Sequence, residues 1–286
     1  MPGYLFGKSR FLERFTGKQE NIATLKKLIR PFILRRLKKD VIKELPDKIE
    51  KKFYVELSEE QQKIYSAYVK DIKDKIESKD ENTDKITIFS YLMKLRQLCL
   101  TPASIIDGYK GGSGKIDVAM DIIEEAINDN HKILLFSQFT SVLTEIIKSL
   151  DKNKIKYYYL DGTTKAKERL KLVNDFNNDN EVKLFLISLK AGGTGLNLTS
   201  ADMVFHFDPW WNPAIEDQAT DRAHRLGQNR VVEVINLIAK GTIEEKIIHL
   251  QESKKEIVDE IMDGNYKDGS LLSSLSEAEI KELFLI

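Results

Sequence analysis

The sequence predicts an α/β fold, a parallel β-sheet covered by helices on both faces and preceded by an N-terminal helical region. Three observations lead there. From about residue 115, short apolar runs alternate with amphipathic helical segments, the pattern of a sheet buried on both sides. Before that point the apolar residues recur at helical spacing. The loop from Gly108 to Gly114 separates the two regimes.

Taken in order, Ile22, Leu25, Leu28, Ile29, Phe32, Ile33 and Leu37 keep one apolar helical face, interrupted by Pro31. A short extended piece is expected at 52–57. Ser58 with Gln61 then forms a capping box that starts a helix through Tyr65, Tyr68 and Ile72. Residues 78–84 read as a polar loop, and a helix over about 86–98 carries Ile88, Leu92, Leu95 and Leu98 on one face. Strands follow at 132–136, 156–160, 183–188, 203–207 and 232–238, with helices at 115–128, 139–151, 164–178 and 213–224 and a long one at 242–262. LSEAEIKELF reads as a capped final helix closing the chain at its natural terminus. The expected divisions are 1–112 (helical connecting and protrusion region), 113–262 (sheet domain) and 263–286 (C-terminal extension).

Composition excludes several classes. The chain has 286 residues, 42% hydrophobic, enough for a sizeable core. Its 45 basic and 45 acidic residues cancel, which argues against a protein coated in positive charge but permits a local basic stripe. Cys99 is the single cysteine, so an internal disulfide or a Cys-rich zinc module is ruled out. No apolar run approaches the ~20 residues of a membrane helix, and the reading is of an intracellular protein without a metal site.

GGSGKID at 111–117 imitates a phosphate-binding loop and fails its pattern. Tyr109 stands where glycine is needed, Ile116 stands where Ser or Thr is needed, and a loop precedes it instead of a strand. Nothing else in the chain offers a phosphate cradle or an acidic magnesium-binding strand end.

The chemistry concentrates in 183–230. A strand ends near Ser188 and runs into Gly192-Gly193-Thr194-Gly195, a turn that exposes backbone N–H groups to an anion. It lies at the carboxyl end of a strand, where open parallel sheets bind ligands. A ligand-free strand-to-helix turn fits these glycines equally. Further on, Pro213 suits the first turn of a helix, on which Gln218, Asp221, Arg222 and Arg225 would share a face. Two arginines three apart can form a fork for a polyphosphate. A solvated ion-pair face with Glu216, Asp217 and Asp221 is the competing reading.

Together, ISLKAGGTGLNLTSAD (187–202) and FDPWWNPAIEDQATDRAHRLGQNR (207–230) resemble the last two helicase motifs of the Swi/Snf (sucrose-non-fermenting) family within helicase superfamily 2. DRAHRLGQ is the most specific part, since related RNA helicases resemble H-R-x-G-R. The resemblance extends through PFILRRLKKDV, ELPDK, LSEEQQKIY and LRQLC to SGK, LLFSQFT, LDGTT and GTIEEKI, and so spans nearly the whole chain. One departure is Leu100-Thr101-Pro102, where many relatives carry a polar residue or histidine before the proline.

This resemblance implies a RecA-like second motor lobe of a DNA-dependent ATPase that translocates on double-stranded DNA. Arg222 and Arg225 would be arginine fingers completing an ATP site on a first lobe, with Gln218, Asp221 and Gly195 near the nucleotide. Gln138, Thr140, Gly162, Thr163, Lys190, Gly193, Thr194 and Trp211 would face DNA, while Trp210 would pack in the core. His224 and His206 would be structural. ATP would arrive with Mg2+ held mainly by the first lobe, which is itself an expected partner. A DNA-bound protein such as a polymerase or nucleoid protein is a further one. The localisation expected is cytoplasm and nucleoid in a prokaryote, or the nucleus in a eukaryote. Rival readings are a non-enzymatic DNA-binding scaffold and an RNA helicase.

Overall fold

A computed structural model of the chain describes residues 4–15, 24–25, 27–32, 44–77, 85–192 and 195–262. The chain divides into two compact units, Met1–Lys43 with Leu250–Gly269, and Glu44–His249 with Ser270–Ile286. In the smaller unit α1 (Lys8–Phe15) pairs the Phe11 and Phe15 rings, while Tyr4 meets the edge of Phe32. The polar loop expected at 78–84, the final helix and most of PFILRRLKKDV lie outside the described residues.

The larger unit holds a six-stranded, all-parallel sheet. Its strands are β1 (Lys48–Val55), β2 (Ile133–Ser137), β3 (Tyr157–Leu160), β4 (Leu184–Ser188), β5 (Met203–His206) and β6 (Val232–Ala239), in the order β1-β6-β5-β2-β4-β3. Five strands fall where the apolar runs predict them. The sixth does not: the piece expected at 52–57 begins at Lys48 and lies along β6 in register, Lys48 beside Val232 and Val55 beside Ala239. Its residues are exposed as far as Val55, because it is an edge strand, so it lacks the apolar run that marks a buried one.

The alternation of side chains along the strands divides the core in two. Ile133, Leu135, Leu184, Leu186 and Phe205 face α4 (Gly114–Asn128) and α5 (Thr140–Lys152). Leu134, Phe136, Phe185, Ile187 and Val204 face the other way, toward α6 (Ala166–Asn178), the 196–201 segment and the region of Ala219 and Ala223. Burial on both faces explains the continuous apolar runs at 133–136 and 184–187.

Ahead of this layer, α2 (Glu59–Glu77) and α3 (Lys85–Leu100) form an antiparallel hairpin. The expected capping box is present: Ser58 Oγ accepts the Gln61 N–H at 3.3 Å, and Gln61 Oε1 accepts the Ser58 N–H at 3.4 Å. The fully buried Gln61 also donates to the carbonyls of Leu98 and Cys99, which α3 leaves without helical partners at its end. Helix α9 (Ile243–Met262) follows β6. No helix among the described residues is long and apolar enough to cross a membrane.

Candidate functional site

Because all six strands are parallel, every strand's carboxyl end opens on the same edge of the sheet, where this architecture places ligands. Gln138 and Thr140 follow β2, Gly162 and Thr163 follow β3, and Lys190 follows β4 in the single-turn helix α7 (Leu189–Gly192). Strands β2, β4 and β3 are neighbours, so these three loops stand side by side. Thr140, Gly162, Thr163, Lys190 and Gly195 are exposed, and Gly195 has a positive φ of 46° that suits glycine. Gly193 and Thr194 lie outside the described residues.

The LDGTT loop is held by its own side chains. Asp161 Oδ1 accepts the Thr163 hydroxyl at 2.6 Å and its N–H at 2.8 Å, and these bonds hold the carboxyl below the usual carboxylate range. From α6, Arg169 donates to the carbonyls of Thr164, Asp161 and Gly162 at 2.8, 3.3 and 3.2 Å. Gly162 and Thr163 are thus presented outward on a braced turn.

The arginine segment departs from expectation. Helix α8 (Pro213–Thr220) starts as predicted, with Pro213 in its first turn and Asn212 Oδ1 capping the Ala214 N–H at 3.0 Å. It stops at Thr220, four residues before the expected end. Asp221 is its C-cap, and Arg222 and Arg225 lie in the turns beyond, so the four residues do not share a helical face. Tertiary bonds draw the chain off the helix: the Arg222 carbonyl accepts the Leu198 N–H at 2.9 Å, and Gln228 Nε2 donates to the carbonyls of Ala201 and Ala223. The arginines nevertheless remain a pair. Arg222 is 8% exposed, and burial, then the like charge of Arg225, lower its pKa, with Asp221 opposing. Arg225 Nη1 donates to the Leu196 carbonyl at 3.3 Å, which sets the pair beside the segment that leaves Gly195. Gln218 is exposed on α8.

His224 Nε2 donates to the Pro46 carbonyl at 2.8 Å, and buried His206 bonds Thr220 Oγ1 at 2.9 Å, so both tie segments of the fold together. Half-buried Trp210 packs against the core as expected, and Trp211 is also buried, at 6% exposure.

GGSGKID is no phosphate cradle. Ser113 caps α4, accepting the Ile116 N–H, and Lys115 is fully buried. Lys115 Nζ donates to Glu244 Oε2 at 2.8 Å and to the Leu237 carbonyl at 2.9 Å, and lies 5.2 Å from the Phe207 ring centre. Glu244 Oε2 also accepts the Ala239 N–H at 2.8 Å. Burial raises the Glu244 pKa and the Lys115 ammonium counters it.

Sequence reasoning missed that three family-like pieces meet here. LRQLC brings Arg96, SGK brings Lys115 and GTIEEKI brings Glu244 to the underside of the carboxyl edge, and all three side chains are fully buried. A legible signal existed for one: Arg96 stands four residues after Leu92, on the apolar side of its helix.

The chain resembles known proteins along nearly all of its length. The model of the helicase conserved C-terminal domain matches residues 114–227, and that of the SNF2-related domain matches residues 2–104. An ATP-dependent helicase of Mycoplasma genitalium is 41% identical over 288 residues, 99% of this chain and 27% of that protein. The chain therefore spans well under half the length of such relatives. The Sulfolobus solfataricus SWI2/SNF2 ATPase core, solved in complex with double-stranded DNA, is 38% identical with a TM-score of 0.68, over 99% of this chain and 61% of that one. The C-terminal domain of a Sulfolobus solfataricus SWI2/SNF2 ATPase is 36% identical with a TM-score of 0.67, over 83% of this chain and 98% of that one. With its parallel RecA-like sheet, its helicase C-terminal motifs and this likeness along its whole length, the chain belongs to the SWI2/SNF2 family of helicase-related ATPases.

Proposed function

We propose that the chain is the second motor lobe of an ATP-driven translocase on double-stranded DNA. In this reading the carboxyl edge carries the DNA backbone, through Gln138, Thr140, Gly162, Thr163 and Lys190, joined by Gly193, Thr194 and Gly195. Arg222 and Arg225 stabilise the transferring phosphoryl group of an ATP bound mainly by a first lobe, with Gln218, Asp221 and Gly195 close to that nucleotide. Mg2+ would arrive with ATP and be held by the first lobe.

The observation that carries the reading is the pair of like-charged guanidinium groups, one of them buried, beside the segment that leaves Gly195. Holding two cations together in partial burial is costly, Asp221 offsets part of that cost, and an anion bound beside them would lower it further. A polyphosphate supplies that charge, and planar arginines suit the charge spread over a transferring phosphoryl group. The paired, buried state of Lys115 further supports dependence on another lobe, since it removes the one lysine that imitates a phosphate binder. The DNA-bound Sulfolobus relative supports duplex DNA as the track. Loops that meet phosphates read no sequence, so binding should be salt-sensitive and sequence-tolerant.

The deciding experiment is ATP hydrolysis by the full-length parent, with and without duplex DNA, in wild type, Arg222→Ala and Arg225→Ala. The expectation is strong stimulation in wild type and a loss of about 10³-fold or more in each variant. Variants that fold and hydrolyse ATP like wild type would leave the arginines as an ion-pair cluster without a role in catalysis.

A further inference from the structure

Arg96 of α3 is fully buried, and its guanidinium is used unevenly. Nη2 donates to the Pro209 carbonyl at 2.5 Å and faces Asp208 Oδ2 at 3.5 Å. Nε and Nη1 have no hydrogen-bond partner. The charge is instead surrounded by aromatic rings, with the guanidinium carbon 5.5, 5.8 and 5.3 Å from the ring centres of Phe139, Trp210 and Trp211. Asp208 extends the contact, because its Oδ1 accepts the Gln138 N–H at 3.2 Å. Glu216 Oε1 accepts the Trp210 N–H at 2.6 Å.

An apolar side chain of similar volume would fill this space without desolvating a cation or leaving two donors unpaired. What such a side chain could not do is grip a backbone carbonyl, a carboxylate and three ring faces at once. Every group that Arg96 grips belongs to two loops of the carboxyl edge, the one after β2 and the one after β5. We propose that Arg96 is a positioning residue: from the helical hairpin it locks the Trp210–Trp211 segment and the Gln138 turn into one arrangement, and so sets how the edge engages DNA. The last step rests on the function proposed above; the locking does not.

The chain contains two tryptophans, and both are in this segment, so intrinsic fluorescence reports on it directly. Arg96→Met should red-shift the emission of the chain and increase its quenching by acrylamide, with helical circular dichroism retained. Should Arg96→Met fail to fold, Asp208→Asn carries the test. It keeps an acceptor for the Gln138 N–H, removes the charge facing Arg96, and should shift the emission in the same direction. Folded variants with wild-type emission and quenching overturn the locking. In the full-length parent, Arg96→Lys should raise the duplex DNA concentration that half-stimulates ATP hydrolysis about tenfold or more, while KM for ATP stays within about twofold. A shifted emission with an unchanged DNA requirement overturns the proposal. A wild-type parent that DNA does not stimulate overturns the translocase reading instead and leaves the fluorescence result standing.

Discussion

Replacing Lys115 by methionine separates two meanings of one lysine. Its ammonium lies in a fully buried site, 2.8 Å from Glu244 and 2.9 Å from the Leu237 carbonyl. Methionine nearly preserves the volume and the contact with Phe207, so the loss is electrostatic. It leaves the Glu244 carboxylate without its counter-charge, one oxygen still held by the Ala239 N–H and the other, Oε1, already without a partner. Removing one partner of a buried ion pair costs about 3–5 kcal/mol, whereas replacing both by apolar groups is often neutral. With a urea dependence of about 1–3 kcal/mol per molar, the unfolding midpoint should fall by about 1–5 M. Lys115→Met/Glu244→Leu should recover most of that. The assay is equilibrium urea unfolding of the chain followed by circular dichroism, with the four members of the double-mutant cycle measured together. A Lys115→Met chain of wild-type stability whose parent has lost ATP affinity would falsify the structural role and restore the phosphate-binding reading of GGSGKID.

Three further outcomes are expected. His206 is buried and its pKa is depressed from 6.5 to about 4, chiefly by burial, so the folded state resists its protonation. Its stabilising contribution is complete above pH 6.5 and falls away toward pH 4, by about 3 kcal/mol at 1.36 kcal/mol per unit; His206→Gln should flatten that part of the stability-against-pH curve, and an unchanged slope would assign the acid sensitivity elsewhere. Gln61→Ala should cost about 2 kcal/mol or more, since it strands the Leu98 and Cys99 carbonyls inside the hairpin; calorimetric melting within error of wild type would show that another donor replaces it. Asn212→Ala removes the α8 cap and should cost about 1 kcal/mol, with Asn212→Asp retaining most of the stability; equal unfolding midpoints for alanine and wild type would mean that Pro213 alone starts the helix.

The sequence by itself determined the layered α/β class, five of the six strands, the capping box at Ser58 and Gln61, and the start of α8 at Asn212-Pro213. Each of these is a local property, fixed by periodicity or by a side chain reaching its own backbone within a few residues. It also determined that the loops holding Gln138, Thr140, Gly162, Thr163 and Lys190 share one edge, because parallel strands can open only one way. Tertiary structure alone decided the rest. β1 is exposed and takes its identity from β6, whose partner register no local pattern encodes. Helix α8 stops at Thr220 because Leu198 and Ala201, some twenty residues away in sequence, offer better partners to the following turn than another helical turn would. Which tryptophan is buried, and why Arg96, Lys115 and Glu244 are charged inside a core, depend on side chains brought together from three distant motifs. A buried charge reveals its purpose only once its counter-charge is in place beside it.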